Sequence, residues 1–385
     1  MSVTFIHQDY KSILNRMRSI DGWFWCRYTL NPYNGCQFGC IYCDARSAKY
    51  HMPDDFETRI IIKQNAKSLL RERLEKTRTW QPDVVALGGV TDCYQPAERK
   101  FRSTRGCLRI FLEYGFPIHL ITKSTFVTED AGLLDAIACK TWAGVSITLT
   151  TINKSHSKFL EKHAPTPAKR LKTIQKLKER APHLLVGVTL MPVVPGFGED
   201  PDSLEALFRA ISAAGADYVL FGSGMTLRDQ QADWFLKHVY ENYAHLIPMY
   251  EKLFRFKYAT AGYAGSYGIS DLDWHIRLNA TLLELAAKYK LRTRIPRWIP
   301  PDYRAVNYHL AEEFLNAAWL AQACNRPGSG ILFRVGHALQ NLKLSVEEIV
   351  ARNEWSRLPA LDEALKRRIR HAVQAKGQPA LFSFS

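Results

Sequence analysis

No apolar run in the sequence approaches the roughly 18 residues that span a bilayer, and Met1 to Tyr10 lack the charged-then-apolar pattern of a signal peptide. A membrane partner and a secretory route are therefore unexpected, and the cytoplasm is the expected compartment. Acidic residues are in short supply: 37 Asp and Glu stand against 52 Lys and Arg, leaving a net charge of +15. Such a field favours polyanions, whose phosphates basic side chains neutralise. Outside one triplet, cysteine is scattered and odd in number, at Cys26, Cys93, Cys107, Cys139 and Cys324. That argues against a disulfide scaffold and fits thiols in a reducing compartment. There is no internal repeat and no low-complexity tract. What remains is a globular chain of 385 residues, 46% apolar, long enough for one large domain with an appendage or for two domains.

The triplet is Cys36, Cys40 and Cys43, spaced C-x3-C-x2-C within a Gly-containing stretch. Three close thiolates suit a metal centre. Iron–sulfur clusters are normally held by four thiolates, so three imply a cubane cluster with one iron left open for chemistry. A zinc knuckle closed by a residue such as His51, or a cluster of disulfides, also suits the spacing.

Around this stretch the hydrophobic pattern alternates between strands and helices. The run from Trp23 to Leu30 reads as a first strand, with the cysteines at its carboxyl end. Strands are expected at 83–87, 117–122, 142–149, 184–190 and 217–221, separated by helices at 63–76, 98–114, 128–138, 167–180 and 203–214. Six strands alternating with helices predict a parallel sheet with right-handed crossovers, either open and doubly wound or curled into a barrel. Past Arg228 the alternation stops, and helices are expected at 230–256, 271–288, 305–324, 345–352 and 361–375. Ser345 with Glu348 has capping-box spacing, and Gly377 comes after the last helix as a stop. The Gly/Ser-rich stretch from Ala261 to Ser270 is the expected boundary. The domains expected are an N-terminal extension at 1–22, with a short helix near Asp9 to Arg18, a barrel at 23–260 and a mainly helical region at 261–385.

Ligands gather at the carboxyl ends of parallel strands. The second strand runs into Gly88-Gly89-Val90-Thr91-Asp92-Cys93-Tyr94-Gln95-Pro96-Ala97-Glu98, where paired glycines let a ligand approach the backbone. The third ends in Thr122-Lys123-Ser124, an ammonium and a hydroxyl suited to a carboxylate. On the fourth, Ser146 and Thr148 alternate and so share one face.

The cysteine spacing, with Tyr42 just before Cys43, resembles the radical S-adenosylmethionine (SAM) superfamily. Asn31-Pro32-Tyr33, Asp44-Ala45-Arg46 and the segments GGVTD and YQPAE resemble more specifically its spore photoproduct lyase-like, or DNA-repair photolyase-like, branch. The resemblance implies an α/β fold: a partial (β/α)6 barrel of the radical SAM type over roughly 23–225, with a mainly helical C-terminal region. It implies a 4Fe-4S cluster held by Cys36, Cys40 and Cys43. S-adenosyl-L-methionine would chelate the open iron and be cleaved reductively to a 5′-deoxyadenosyl radical, the electron coming from a donor such as flavodoxin or ferredoxin. Carried onto this chain, it assigns SAM contacts to Tyr42, Gly88, Gly89, Thr91, Asp92, Lys123 and Ser124; the shared face of Ser146 and Thr148 suits the two hydroxyls of a ribose, although β-propensity also accounts for a threonine there. Cys93 stands where relatives commonly have Pro, and spore photoproduct lyase carries a hydrogen-donor cysteine in the corresponding loop. Cys93 is therefore the expected hydrogen donor, with Tyr94 or Tyr33 behind it.

Two stretches bear on the substrate. Arg99-Lys100-Phe101-Arg102 with Arg105, and Arg292 to Arg304 with Trp298 and Tyr303, interleave basic and aromatic side chains as base stacking and phosphate pairing require. Nucleic acid is the expected partner, DNA in preference to RNA, with lesion repair or base modification as the reaction. A small-molecule or peptide substrate, or a non-catalytic metal-binding protein, are the alternatives.

Overall fold

A computed structural model describes residues 2–53, 55–76, 81–222, 224–258, 262–359 and 361–375. Its strands are β1 (Thr4–Gln8), β2 (Leu14–Arg16), β3 (Tyr28–Leu30), β4 (Tyr33–Asn34), β5 (Arg59–Lys63), β6 (Val85–Leu87), β7 (Ile118–Thr122), β8 (Ala143–Thr148), β9 (Leu185–Leu190) and β10 (Val219–Phe221). The helices of the first half are α1 (Ala66–Lys76), α2 (Ala97–Phe101), α3 (Ser103–Tyr114), α4 (Ala131–Lys140), α5 (Lys154–Leu160), α6 (Pro167–Arg180) and α7 (Pro201–Ala213). Then come α8 (Asp229–Tyr243), α9 (Ile247–Phe254), α10 (Leu272–Lys288), α11 (Arg304–Ala323), α12 (Ser329–Asn341), α13 (Val346–Arg352) and α14 (Glu363–Gln374).

The main sheet has the order β10-β9-β8-β7-β6-β3-β2, parallel throughout except for β2 against β3. Its six parallel strands lie side by side in chain order. Every crossover therefore steps the same way, and right-handed connections place all the helices on one face, so the sheet curls as a barrel does. A doubly wound sheet reverses its order at a switch point, and this one does not.

The register sorts the side chains by face. Leu30, Leu87, Leu120 and Val145 align on one side, continued by Ile147 and Val188, and all are buried under the helices. Ala86, His119 and Gly144 align on the other, with Ser146 opposite Gly187 and Thr148 opposite Thr189. Strand alternation thus gives an apolar face for the helices and a small, polar inner face.

A second sheet, β1-β5-β4, lies beside the cysteine stretch: β1 runs parallel to β5, and β4, which opens that stretch, pairs antiparallel with β5. The first residues are therefore strands and not the expected extension with a helix. The sequence RIIIK at 59–63, whose last residue is expected to open a helix, is the central strand of this sheet. The single helix expected over 98–114 is two, α2 and α3, broken at Arg102, whose φ is +51°.

The chain divides into two compact units, one of residues up to Arg16 with Tyr28–Ile295, the other of Met17–Arg27 with the residues from Pro296 on. The expected boundary at 260/261 falls at residues outside those described. The segment beyond it is tied into the first unit: the Leu227 amide donates to the Tyr267 carbonyl at 2.9 Å, that of Ser270 to Leu253 at 2.8 Å, and α10 packs on α7. Gly377 also lies outside the described residues.

The second unit has its own core, in which Phe314 of α11 meets Val335 and Leu339 of α12, Ile349 of α13 and Ile369 of α14. Residues 17–27 belong to it because Trp25 is 1% exposed beneath Arg297, and the Gln340 side chain donates to the Ile20 carbonyl at 3.1 Å.

Candidate active site

The three cysteines come after β4 at the carboxyl end of the barrel strands. Gly35, before the first, has φ +77°, and a Cβ there would lie 2.4 Å from the Arg59 carbonyl oxygen, so only glycine admits the turn. The loop is tied on three sides. The Cys36 amide donates to Phe56 at 2.9 Å, and the Ile41 amide to Leu160 at 2.9 Å. The fully buried Gln95 side chain donates to the Gly35 carbonyl and accepts from the Gln37 amide, both at 3.0 Å, clasping the chain on either side of Cys36. Cys36 and Cys40 are buried and Cys43 half-buried, all as free thiols. Burial raises their pKa values, that of Cys40 to about 12. Among the described residues, the only set of three or more Cys, His, Asp or Glu donor atoms within 4.8 Å of one another lies elsewhere. No disulfide joins the triplet.

The turn after β6 supplies the next wall. Gly88 has φ +86°, and its Cβ would lie 2.1 Å from the Ile121 carbonyl oxygen; at Gly89 a Cβ would meet nothing within 4 Å. The first glycine is required by the backbone, whereas the second borders open space. Asp92 locks this turn to the next strand, its carboxylate accepting from Thr122 Oγ1 and the Lys123 amide at 2.7 Å and from the Tyr94 amide at 2.9 Å. Burial pushes its pKa up against those bonds. Glu98, also fully buried, accepts from the Tyr33 hydroxyl and from the Thr104 and Arg105 amides, which fastens the start of α3 to β4.

Lys123 comes directly after β7, with Nζ 4.0 Å from Glu161 Oε1 and 5.6 Å from the Tyr42 ring centroid. Glu161 also accepts from the Tyr42 hydroxyl and from Arg170, a pair with 1% exposure or less. Burial raises the Glu161 pKa, but Arg170 and Lys123 outweigh it and hold it low; burial lowers that of Lys123, but Cys40 and Glu161 hold it above its ordinary value. The ammonium is thus kept beside the cysteine loop. Arg170 spends its remaining donors on the Thr148 carbonyl at 2.9 Å and the Pro165 carbonyl at 2.7 Å.

Several expected contacts are internal to the protein. Thr91 Oγ1 donates to the Tyr33 carbonyl at 2.9 Å, and Ser124 Oγ accepts from the Phe126 amide at 3.1 Å as a turn cap. Ser146 has no exposure, with His119 Nε2 and the Tyr218 hydroxyl each 2.8 Å from its Oγ, so it has no room for a ribose. Thr148 faces inward as expected, its hydroxyl 3.4 Å from that of Thr189. Cys93 and Tyr94 also have no exposure: the thiol lies under Gly88, and the phenol donates to Asp130 at 2.6 Å. Both side chains are enclosed in this structure. The same holds for Tyr33, bonded to Glu98.

Gln95 and Glu98 lie inside the YQPAE segment, yet nothing in the sequence marks either for a role; Glu161 and Arg170 belong to no motif. Just past β3, Asn31 Oδ1 is buried without a hydrogen-bond partner. Three thiols on one loop, that acceptor, the open space at Gly89 and the Lys123 ammonium fit a 4Fe-4S cluster with SAM, whose amine and carboxylate match an acceptor and a cation.

A family model described as the radical SAM superfamily matches residues 30–204. An uncharacterised protein of Mycobacterium tuberculosis is 31% identical over 257 residues, which cover 66% of this chain and 74% of the relative. An uncharacterised protein of the Acidianus two-tailed virus is 25% identical over 231 residues, covering 57% and 73%. Among solved structures, a spore photoproduct lyase variant with bound AdoMet and dinucleoside spore photoproduct superposes with a TM-score of 0.54 at 13% identity, covering 74% of this chain and 79% of that one.

Proposed function

This chain belongs to the radical SAM superfamily, and from that premise we propose that its substrate is a base within nucleic acid, repaired or modified in a photoproduct lyase-like reaction. The family's 4Fe-4S cluster and SAM, when bound, supply a 5′-deoxyadenosyl radical that takes hydrogen from the substrate. In this reading Cys36, Cys40 and Cys43 hold the cluster. Gly88 and Gly89 let the amino acid part of SAM lie against the backbone, and Lys123 meets its carboxylate. Asp92 fixes the Gly88 turn and Lys123 relative to each other, while Glu161 and Arg170 hold Tyr42 and the loop that carries the thiols. The electron would come from a small donor such as flavodoxin or ferredoxin.

One observation carries the choice of nucleic acid. Lys67, Arg71, Arg102, Arg105 and Arg109 line a cavity of about 510 Å3 between α1 and α3. Arg102 stands at the break before α3 and Arg105 in its first turn, the same end of the barrel as the cysteines. Arg71, Arg102 and Arg105 are paired with Glu113, Glu129 and Asp130, but Lys67 and Arg109 have no acidic partner among the described residues. The net charge of +15 supports the same reading, as does the dinucleoside bound by the lyase whose fold this chain shares.

In the second basic-aromatic stretch Arg292 and Tyr303 are exposed, whereas other members are taken up inside the protein. Arg297 lies between the rings of Trp25 and Tyr308, at 4.8 and 4.1 Å, Trp298 is buried, and Arg304 is held by Asp302 at 2.6 Å.

The test is binding of DNA and RNA oligonucleotides to the cluster-loaded protein across a salt series, with 5′-deoxyadenosine release measured alongside. Affinity should fall steeply with salt, and Lys67→Ala or Arg109→Ala should each reduce the slope by about one. DNA should also stimulate release. Negligible affinity at low salt, with SAM cleavage intact, would overturn the substrate assignment in favour of a small molecule or peptide.

A further inference from the structure

At the other end of the barrel lies a second set of ligating side chains, which the catalytic reading does not use. Asp135 and Cys139 are four residues apart on α4 and so share one face of that helix. His183 sits in the connection between α6 and β9, two residues before the strand begins. One donor atom from each of the three lies within 4.8 Å of the other two.

Part of the arrangement is already held in place. The His183 amide donates to Asp135 Oδ1 at 2.8 Å, and His183 Nδ1 is 3.2 Å from Asp135 Oδ2. One carboxylate oxygen is thus committed to orienting the group, and the other meets the imidazole. Cys139 is exposed, so its side chain has room to turn toward the Asp135–His183 pair.

We propose that Asp135, Cys139 and His183 bind a zinc ion that fastens α4 to the connection entering β9. The chemistry selects the ion. A thiolate and an imidazole disfavour Mg2+ and Ca2+, which prefer oxygen, and a Cys/His/Asp set suits tetrahedral Zn2+ with water as the fourth ligand. Bonds of about 2.0–2.3 Å to zinc leave tetrahedral donor atoms about 3.3–3.8 Å apart. Closing from 4.8 Å therefore asks for a shift of about 1 Å, well within side-chain rotation. On binding, the thiol gives up its proton to solvent, so affinity should fall as pH falls.

The location separates this ion from the radical chemistry, and its role is to tie the two segments together. β8 begins three residues after α4 ends, and β9 begins two residues after His183, so the site lies at the amino ends of the strands. The cysteine loop is at their carboxyl ends, and in barrels the amino end serves stability. The proposal does not depend on the substrate assignment.

The experiment uses the full-length, cluster-loaded protein, dialysed anaerobically against Zn2+ and passed through a desalting column. Metal content by mass spectrometry should show one zinc per chain beyond the cluster iron, and the thermal unfolding midpoint should rise by about 3 °C or more with zinc. Cys139→Ala and His183→Ala should each lose the zinc and the thermal shift while keeping the iron and SAM cleavage. Zinc content equal in wild type and both variants, or no retained zinc in wild type, would overturn the assignment. Circular dichroism on both variants separates loss of the site from loss of the fold.

Discussion

At the scale of single residues, the two glycines after β6 make opposite demands. Gly88→Ala forces a Cβ against the Ile121 carbonyl at a positive φ, so the expected outcome is poor folding, measured as a lowered unfolding midpoint. Gly89→Val has space in the protein itself and should fold normally while weakening SAM binding, measured by equilibrium dialysis. Glu161 answers two buried cations, and Glu161→Ala leaves Arg170 enclosed without its counter-charge. The expected loss is about 3–5 kcal/mol in chemical denaturation.

Lys63 carries a pH dependence. Burial lowers its pKa to about 8 from the ordinary 10.5. Between those values the unfolded chain holds a proton that the folded chain has released, so its contribution makes stability rise with pH, by up to about 3 kcal/mol, and the penalty is fully present below 8. Lys63→Met should be the more stable protein at pH 7, and the gap should close toward pH 10.5 in a denaturation series.

At the scale of elements, the turn and short helix after β6 are joined to the cysteine loop by two glutamines, Gln95, which clasps the chain on either side of Cys36, and Gln37, which accepts from the Ala97 amide at 2.7 Å. Gln95→Leu removes both bonds flanking Cys36 without changing bulk much. It should lower iron content after anaerobic reconstitution while leaving the far-ultraviolet circular dichroism of the protein intact.

Five of the six parallel strands are legible because each is a short apolar run between helical periods, and α6 begins and ends where a proline and a basic last turn indicate; the first, expected over 23–30, is a strand only at Tyr28–Leu30, because the aromatic residues before it belong to the second unit. β5 is hidden because RIIIK runs straight into a helical pattern. α12 is hidden because Gly330 and Gly336 read as breakers; Gly336 instead lets that helix approach α11, where a Cβ would lie 2.6 Å from Leu315. In the site, the three cysteines and the glycine turn are legible from spacing, since one loop holds each. Glu161 and Arg170 are not, because only the folded barrel brings α6 and the end of α5 against Tyr42. The direction of the Cys93 thiol, which lies under Gly88, is not legible from its nearness to that glycine in sequence.

At the scale of the whole molecule, the second unit draws on both ends of the chain, and Trp25 carries that dependence. Trp25→Ala empties a buried position beneath Arg297 and should destabilise this unit by about 3–5 kcal/mol, measured by hydrogen exchange of amides in α11 and α12.

The same division sets a timetable for synthesis. Residues 17–27 leave the ribosome first, and the helices they pack with begin only at Arg304. At about 5–20 residues per second, roughly 280 intervening residues keep Trp23, Phe24 and Trp25 waiting for about 14–55 seconds. During that interval an aromatic segment is on offer to any holdase at the exit tunnel, long after the barrel strands that come behind it have begun to pair.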